Sequence, residues 1–218
     1  MRNVFQQELS EVQARLVILA NEATKIMEKA SKAFLTSDVS LADEALALTD
    51  ANEARALDLD ELVIKVLATQ SPVARDLRIM VSALRMSASL ERMGSLASHI
   101  AAIARYRYPG SAIPESLRET FEEMSRIDIE LAGKAANLLE NTDLDLAREI
   151  QARDEAVDIL HRRVFEVVLA PDWKENAMFT VDVTLASRYF ERFADHVVDI
   201  SAKVSFLQTG DWQDSPAS

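Results

Sequence analysis

Apolar residues mark out long helices from the first turns of the chain onward. Phe5, Leu9, Val12, Leu16, Leu19, Ala23, Ile26, Ala30 and Phe34 recur every three or four residues, the spacing that lines one face of an α-helix. The run predicts a helix over 4–34. Thr36-Ser37-Asp38 interrupts it, and a second helix is predicted over 41–69, closing at Gln70-Ser71-Pro72. Ser71 reads as the cap of the next helix and Pro72 as its first residue, where a missing N–H costs nothing. The third predicted helix covers 73–105. Between Tyr106 and Pro114, two prolines, a glycine and a serine carry no helical period and read as a linker. Three further helices are predicted over 115–139, 144–169 and 174–207. Asn141-Thr142-Asp143 and Ala170-Pro171-Asp172 separate them, with Asp172 the expected cap of the last. The polar stretch from Gln208 to Ser218 reads as a loose tail.

Three long helices, a linker and three long helices form a pattern that invites a test for internal repetition. The third helix carries a seam at Met86, Leu90, Met93, Ala97, Ile100 and Ala104. The sixth carries Ala186, Phe190, Phe193, Val197, Ile200 and Val204, each 100 positions later, and Glu91-Arg92 recurs as Glu191-Arg192 at the same offset. Asp38 and Asp143 match at an offset of 105, as do Leu41-Ala42 and Leu146-Ala147. The expected fold is therefore all-α: two tandem homologous three-helix bundles, 1–107 and 115–207, related by a pseudo-twofold repeat, with 208–218 as a C-terminal tail.

Composition sharpens this picture without redirecting it. Only 4 glycines and 5 prolines occur in 218 residues, which suits long helices with short connections. The net charge of -12 disfavours nucleic acid and anionic membrane surfaces and suits cations or basic partners. The absence of cysteine excludes disulfides and thiolate chemistry. The first residues, MRNVFQQELSEV, lack a signal-peptide core, and no apolar run reaches the roughly 18–20 residues of a membrane span. A cytoplasmic location is expected.

Candidate chemistry concentrates in the second half. Glu191, Asp195 and Asp199 stand at i, i+4 and i+8 on the sixth helix, and Asp154 and Asp158 form a further pair on the fifth. Like charges so spaced repel, and a cation would relieve them. An all-carboxylate set suits magnesium, calcium, manganese or iron, and zinc less well. In an acidic chain the same row also reads as a solvated face. The first half keeps less of it: Glu91 remains, Ser95 and His99 replace the next two carboxylates, and Thr49 and Glu53 align with Asp154 and Asp158. Glu53, Glu91 and His99 form a weaker second candidate. Asp158 and His161 make one Asp-x-x-His, short of the paired Glu-x-x-His of a di-iron bundle. His196 reads as a rim histidine, Met80, Met86 and Met93 as core, and Trp173 as the cover of a bundle end. No glycine-rich phosphate loop and no nucleophile–histidine arrangement stands out.

The motifs Ser71-Pro72-Val73-Ala74-Arg75-Asp76-Leu77-Arg78 and Leu90-Glu91-Arg92-Met93-Gly94 resemble the first half of the PhoU family. Arg153-Asp154-Glu155-Ala156-Val157-Asp158 and Tyr189-Phe190-Glu191-Arg192-Phe193-Ala194-Asp195-His196 resemble its second half, in the form of actinobacterial members. The resemblance implies a non-enzymatic, metal-binding regulator of phosphate uptake, acting between the transporter ATPase PstB and the sensor kinase PhoR to suppress the phosphate-starvation response. It places the metal (iron, manganese, magnesium or zinc) on Asp154, Asp158, Glu191 and Asp195, with Asp199 adjacent. A homodimer that meets the membrane only through its partners is expected, with no nucleic acid involved. A carboxylate-bridged metalloenzyme and a ligand-free structural module stay open as alternatives.

Overall fold

The computed structural model describes residues 2–209. Among these are six α-helices: α1 Arg2–Thr36, α2 Val39–Gln70, α3 Ala74–Arg107, α4 Arg118–Asn141, α5 Leu144–Val168 and α6 Ala177–Thr209. A single 3₁₀ turn, Glu115–Leu117, leads into α4. The repeat shows first in how the second helix of each half begins. Asp38 caps α2 by accepting from the Ser40 and Leu41 amides at 2.9 and 3.1 Å, and Asp143 caps α5 by accepting from the Asp145 amide at 2.9 Å.

Several boundaries differ from expectation, among them the start of α4, where Glu115–Leu117 forms the 3₁₀ turn and the α-helix begins at Arg118. Ser71 does not cap α3; it ends α2 in the left-handed conformation, φ 45°, and α3 starts at Ala74 with Val73 before it. Asp172 does not cap α6 either. Asn176 does, its side-chain oxygen accepting from the Phe179 amide at 3.0 Å, because the chain runs non-helically for several residues past the proline. Gln208 and Thr209 belong to α6 rather than to a tail, while the rest of the expected tail, 210–218, lies outside the described residues.

Each half is a three-helix bundle, and the two halves share one core. The seam residues of α3 and α6 are all buried, as are Val12, Leu16, Leu19, Ile26 and Phe34 on α1. Met80, Met86 and Met93 fill this core as expected. Across the halves, α1 packs on α4 and α3 on α6, leaving α2 and α5 on the outside. Both cross-pairs are antiparallel. Gln13 near the start of α1 donates to the Leu139 and Glu140 carbonyls at the end of α4, and Phe34 at the end of α1 meets Phe121 at the start of α4. Similarly Ser89 donates to Asp199 at 2.7 Å, His99 stacks on Tyr189 at 5.0 Å, and Arg107 clamps Asp182.

The rings of Phe34, Phe121 and Phe190 gather within 5.2–6.4 Å of one another and bind the two halves at one end of the molecule. There the linker closes the core with buried Ala112, Ile113 and Leu117. Trp173 packs against the core beside the start of α6 and donates to Thr180 at 2.9 Å, the covering role expected of it. No helix among the described residues is long and apolar enough to cross a membrane.

Candidate functional site

The groove between α5 and α6 brings Asp158, Glu191 and Asp195 within reach of one another's charge. His161 on α5 meets Ser187 on α6 at 3.0 Å, which fixes the antiparallel register of the pair. One helical turn away on each helix, that register sets Asp158 opposite Glu191, and another turn on, position 154 opposite position 195. The side chain of Asp154 lies outside the described residues.

Glu191 is the buried member. Its Oε1 accepts from Arg188 Nη1 one turn back, while its Oε2 is buried with no hydrogen-bond partner. A charged oxygen so placed is costly. Burial first, and then the neighbouring charges of Asp195 and Asp158, push the Glu191 carboxyl up to about 7 against an ordinary 4.5; Arg188 and Arg192 oppose this. Asp195 lies nearer to solvent. Its carboxyl is also raised, by lost hydration and then by Asp158. The three acids thus repel one another in a shared field.

Asp199 does not join them. It turns toward α3, where it accepts from Ser89 and pairs with Lys203. The i, i+8 spacing hides this, because 3.6 residues per turn rotate each successive carboxylate around the helix until the third faces the neighbouring half. His161, whose single Asp-x-x-His falls short of a di-iron pattern, lies beside the acids instead. Burial and the Arg188 charge lower its pKa, opposed by Asp158. Its Asp-x-x-His spacing was the available signal, since it puts the two side chains on one face. Arg188, three residues before Glu191, was missed for want of any motif to mark it.

In the first half, Glu53 and Glu91 are exposed at matching levels of α2 and α3, a register fixed where Asn52 donates to the Leu90 carbonyl at 3.4 Å; Thr49 is buried, donating to the Ala45 carbonyl at 3.0 Å. His99 turns to the α3–α6 seam and stacks on Tyr189; burial and the Arg92 charge lower its pKa. His196 sits on the same seam, half-buried, its pKa lowered by burial and by Arg192, Arg92 and Lys203 against the opposing effect of Asp199.

By donor chemistry, the α5–α6 groove fits a hard cation. Its groups are carboxylates, one oxygen is buried without a partner, and a positive charge would cancel their repulsion. In the arrangement shown, no three His, Cys, Asp or Glu side chains among the described residues converge with metal-holding geometry.

Two fused three-helix repeats with an acidic outer groove define an all-α helical scaffold. Comparison with known proteins gives the family. The PhoU domain matches residues 16–104 and 121–204, one copy per half, and the chain belongs to the PhoU family. It is 40% identical over 210 residues to "Phosphate-specific transport system accessory protein PhoU homolog 2" of Mycobacterium tuberculosis, covering 96% of this chain and 99% of that protein. It is 39% identical to homolog 1 of Mycobacterium leprae, covering 96% and 95%. These are names of accessory proteins, not of enzymes. In fold, the chain superposes on the crystal structure of PhoU from Pseudomonas aeruginosa with a TM-score of 0.87, covering 95% of this chain and 100% of that one at 24% identity.

Proposed function

We propose that this protein is an accessory regulator of phosphate transport that represses the phosphate-starvation response as a metal-responsive adaptor between the transporter ATPase PstB and the sensor kinase PhoR. The observation that carries the transport role is the likeness, along almost the whole chain, to relatives named as accessory proteins of the phosphate-specific transport system. The adaptor role draws support from apolar side chains left in solvent on both halves. Leu57 and Ile64 on α2, Val73 just before α3, and Leu77 and Val81 on α3 lie on one half; Leu169 after α5 and Met178, Val181 and Leu185 on α6 lie on the other. Such stripes suit helix-face docking. The same surfaces suit a homodimer. The cytoplasm is where both partners would be met.

The metal-responsive role rests on Glu191. A divalent ion held by Asp158, Glu191 and Asp195, with Asp154 one turn before Asp158 on α5 as a further ligand, would let Glu191 stay ionised at neutral pH. Iron, manganese, magnesium and zinc are the ions to test. The experiment is a pull-down of PstB and PhoR with the native chain and with Asp154, Asp158, Glu191 and Asp195 all changed to alanine, alongside metal content by mass spectrometry. The proposal expects the variant to lose metal and to weaken at least one partner. Full metal content in the variant refutes the metal role, and capture of neither partner by the native chain refutes the adaptor role.

A further inference from the structure

The two ends of the molecule are related by the repeat but are not filled alike. At one end stand Phe34, Phe121 and Phe190, the Arg107–Asp182 clamp, and the linker that follows α3 with Ala112 and Ile113 buried. The repeat carries these positions to Leu139, Leu16, Leu90, Leu207 and Ser82 at the other end. Rings become smaller aliphatic groups, and the clamp disappears. A cavity of about 360 Å³ opens there between the two halves, lined by Leu9, Leu16, Ile79, Met86, Leu139 and Leu207, with Arg75 among its polar lining groups. Its size falls at the lower end of the roughly 300–1,000 Å³ that small organic groups occupy.

In the repeat, the chain that follows α6 corresponds in sequence to the linker that follows α3. Ala112 comes five residues after Arg107, and Trp212 comes five residues after Leu207, which itself lines the cavity. Trp212 is the third residue beyond the end of α6, a reach of about 10 Å. Asp211 and Asp214 flank the tryptophan, and Arg75 is exposed with no ion pair among the described residues. An indole with acidic neighbours matches an apolar cavity with an unpaired guanidinium.

We propose that this cavity is the docking site of the chain's own segment 210–218, with the Trp212 indole as occupant. The segment would then complete the second repeat as 108–117 completes the first. The test uses full-length protein. With Trp173→Phe, Trp212 is the sole tryptophan, and its emission, excited at the red edge where tyrosine does not absorb, should be blue-shifted and several-fold less quenched by acrylamide than free tryptophan. Adding Leu139→Phe, which restores at this end a ring of the filled end, should expel the indole and raise quenching to the free level. Independently, Trp212→Ala should bind added indole by calorimetry or NMR, while the native chain does not. Free-level quenching before the cavity is filled overturns the proposal. So does emission indifferent to Leu139→Phe, and so does equal indole binding by native chain and Trp212→Ala. The indole arm decides the matter if either fluorescence variant fails to fold.

Discussion

Glu191→Gln should make the metal-free protein more stable at alkaline pH and almost leave it unchanged at acid pH. Glu191 has a 12% exposed side chain, one oxygen on Arg188 and the other buried without a partner, and its carboxyl is raised from 4.5 to about 7. A group whose folded value lies above its unfolded value binds more protons in the native state. Its contribution is fully present below the unfolded value and lost as pH rises through the folded one, so stability falls between about pH 4.5 and 7. At about 1.4 kcal/mol per pH unit, the cost of ionised Glu191 at pH 8 is on the order of 3 kcal/mol, and at pH 5 about 1 kcal/mol or less. Glutamine keeps an acceptor for Arg188 and removes the charge. For a chain of this size the variant should melt about 6–12 °C higher at pH 8 in chelator, with a small difference at pH 5. Thermal melts by circular dichroism at both values measure this. Equal losses in native and variant protein from pH 5 to 8 would refute burial and carboxylate repulsion as the source of the strain. On the metal proposal, added manganese should narrow the gap at pH 8 by stabilising only the native chain.

Arg107→Met should destabilise by about 3–5 kcal/mol in urea unfolding, because it leaves the buried Asp182 carboxylate unpaired between the two halves. A loss under about 1 kcal/mol would show the clamp to be dispensable. Gly94→Ala places a methyl 2.9 Å from Asn52 Nδ2 and 3.4 Å from Ile26 Cδ1, and should cost about 1–3 kcal/mol by displacing Asn52 from the Leu90 carbonyl. Neutrality would mean that Asn52 yields freely. Asp199→Asn should lower stability through Ser89 and Lys203 while leaving any metal content intact; loss of metal would put Asp199 back in the site.

The hydrophobic period alone determined six helices, and the 100- and 105-residue offsets determined that three of them repeat the other three. Both are local or self-referential properties, carried by the 3.6-residue turn and by residues such as Leu90 and Phe190 that keep their place in each copy. The acidic groove was legible to the extent that it rests on one helix: Glu191 and Asp195 share a face by spacing. Tertiary structure decided the rest. The register of α5 against α6 set Asp158 level with Glu191, and it depends on His161 meeting Ser187 across a groove that no spacing rule describes. Asp199 left the set and His99 turned to Tyr189 because α3 packs against α6, a contact between halves that the pattern of either half leaves unspecified. Helix boundaries at Ser71 and Asn176 likewise turned on backbone conformation after each break rather than on which residue looked the better cap. Sequence fixes which side chains share a helix face; only packing decides what that face meets.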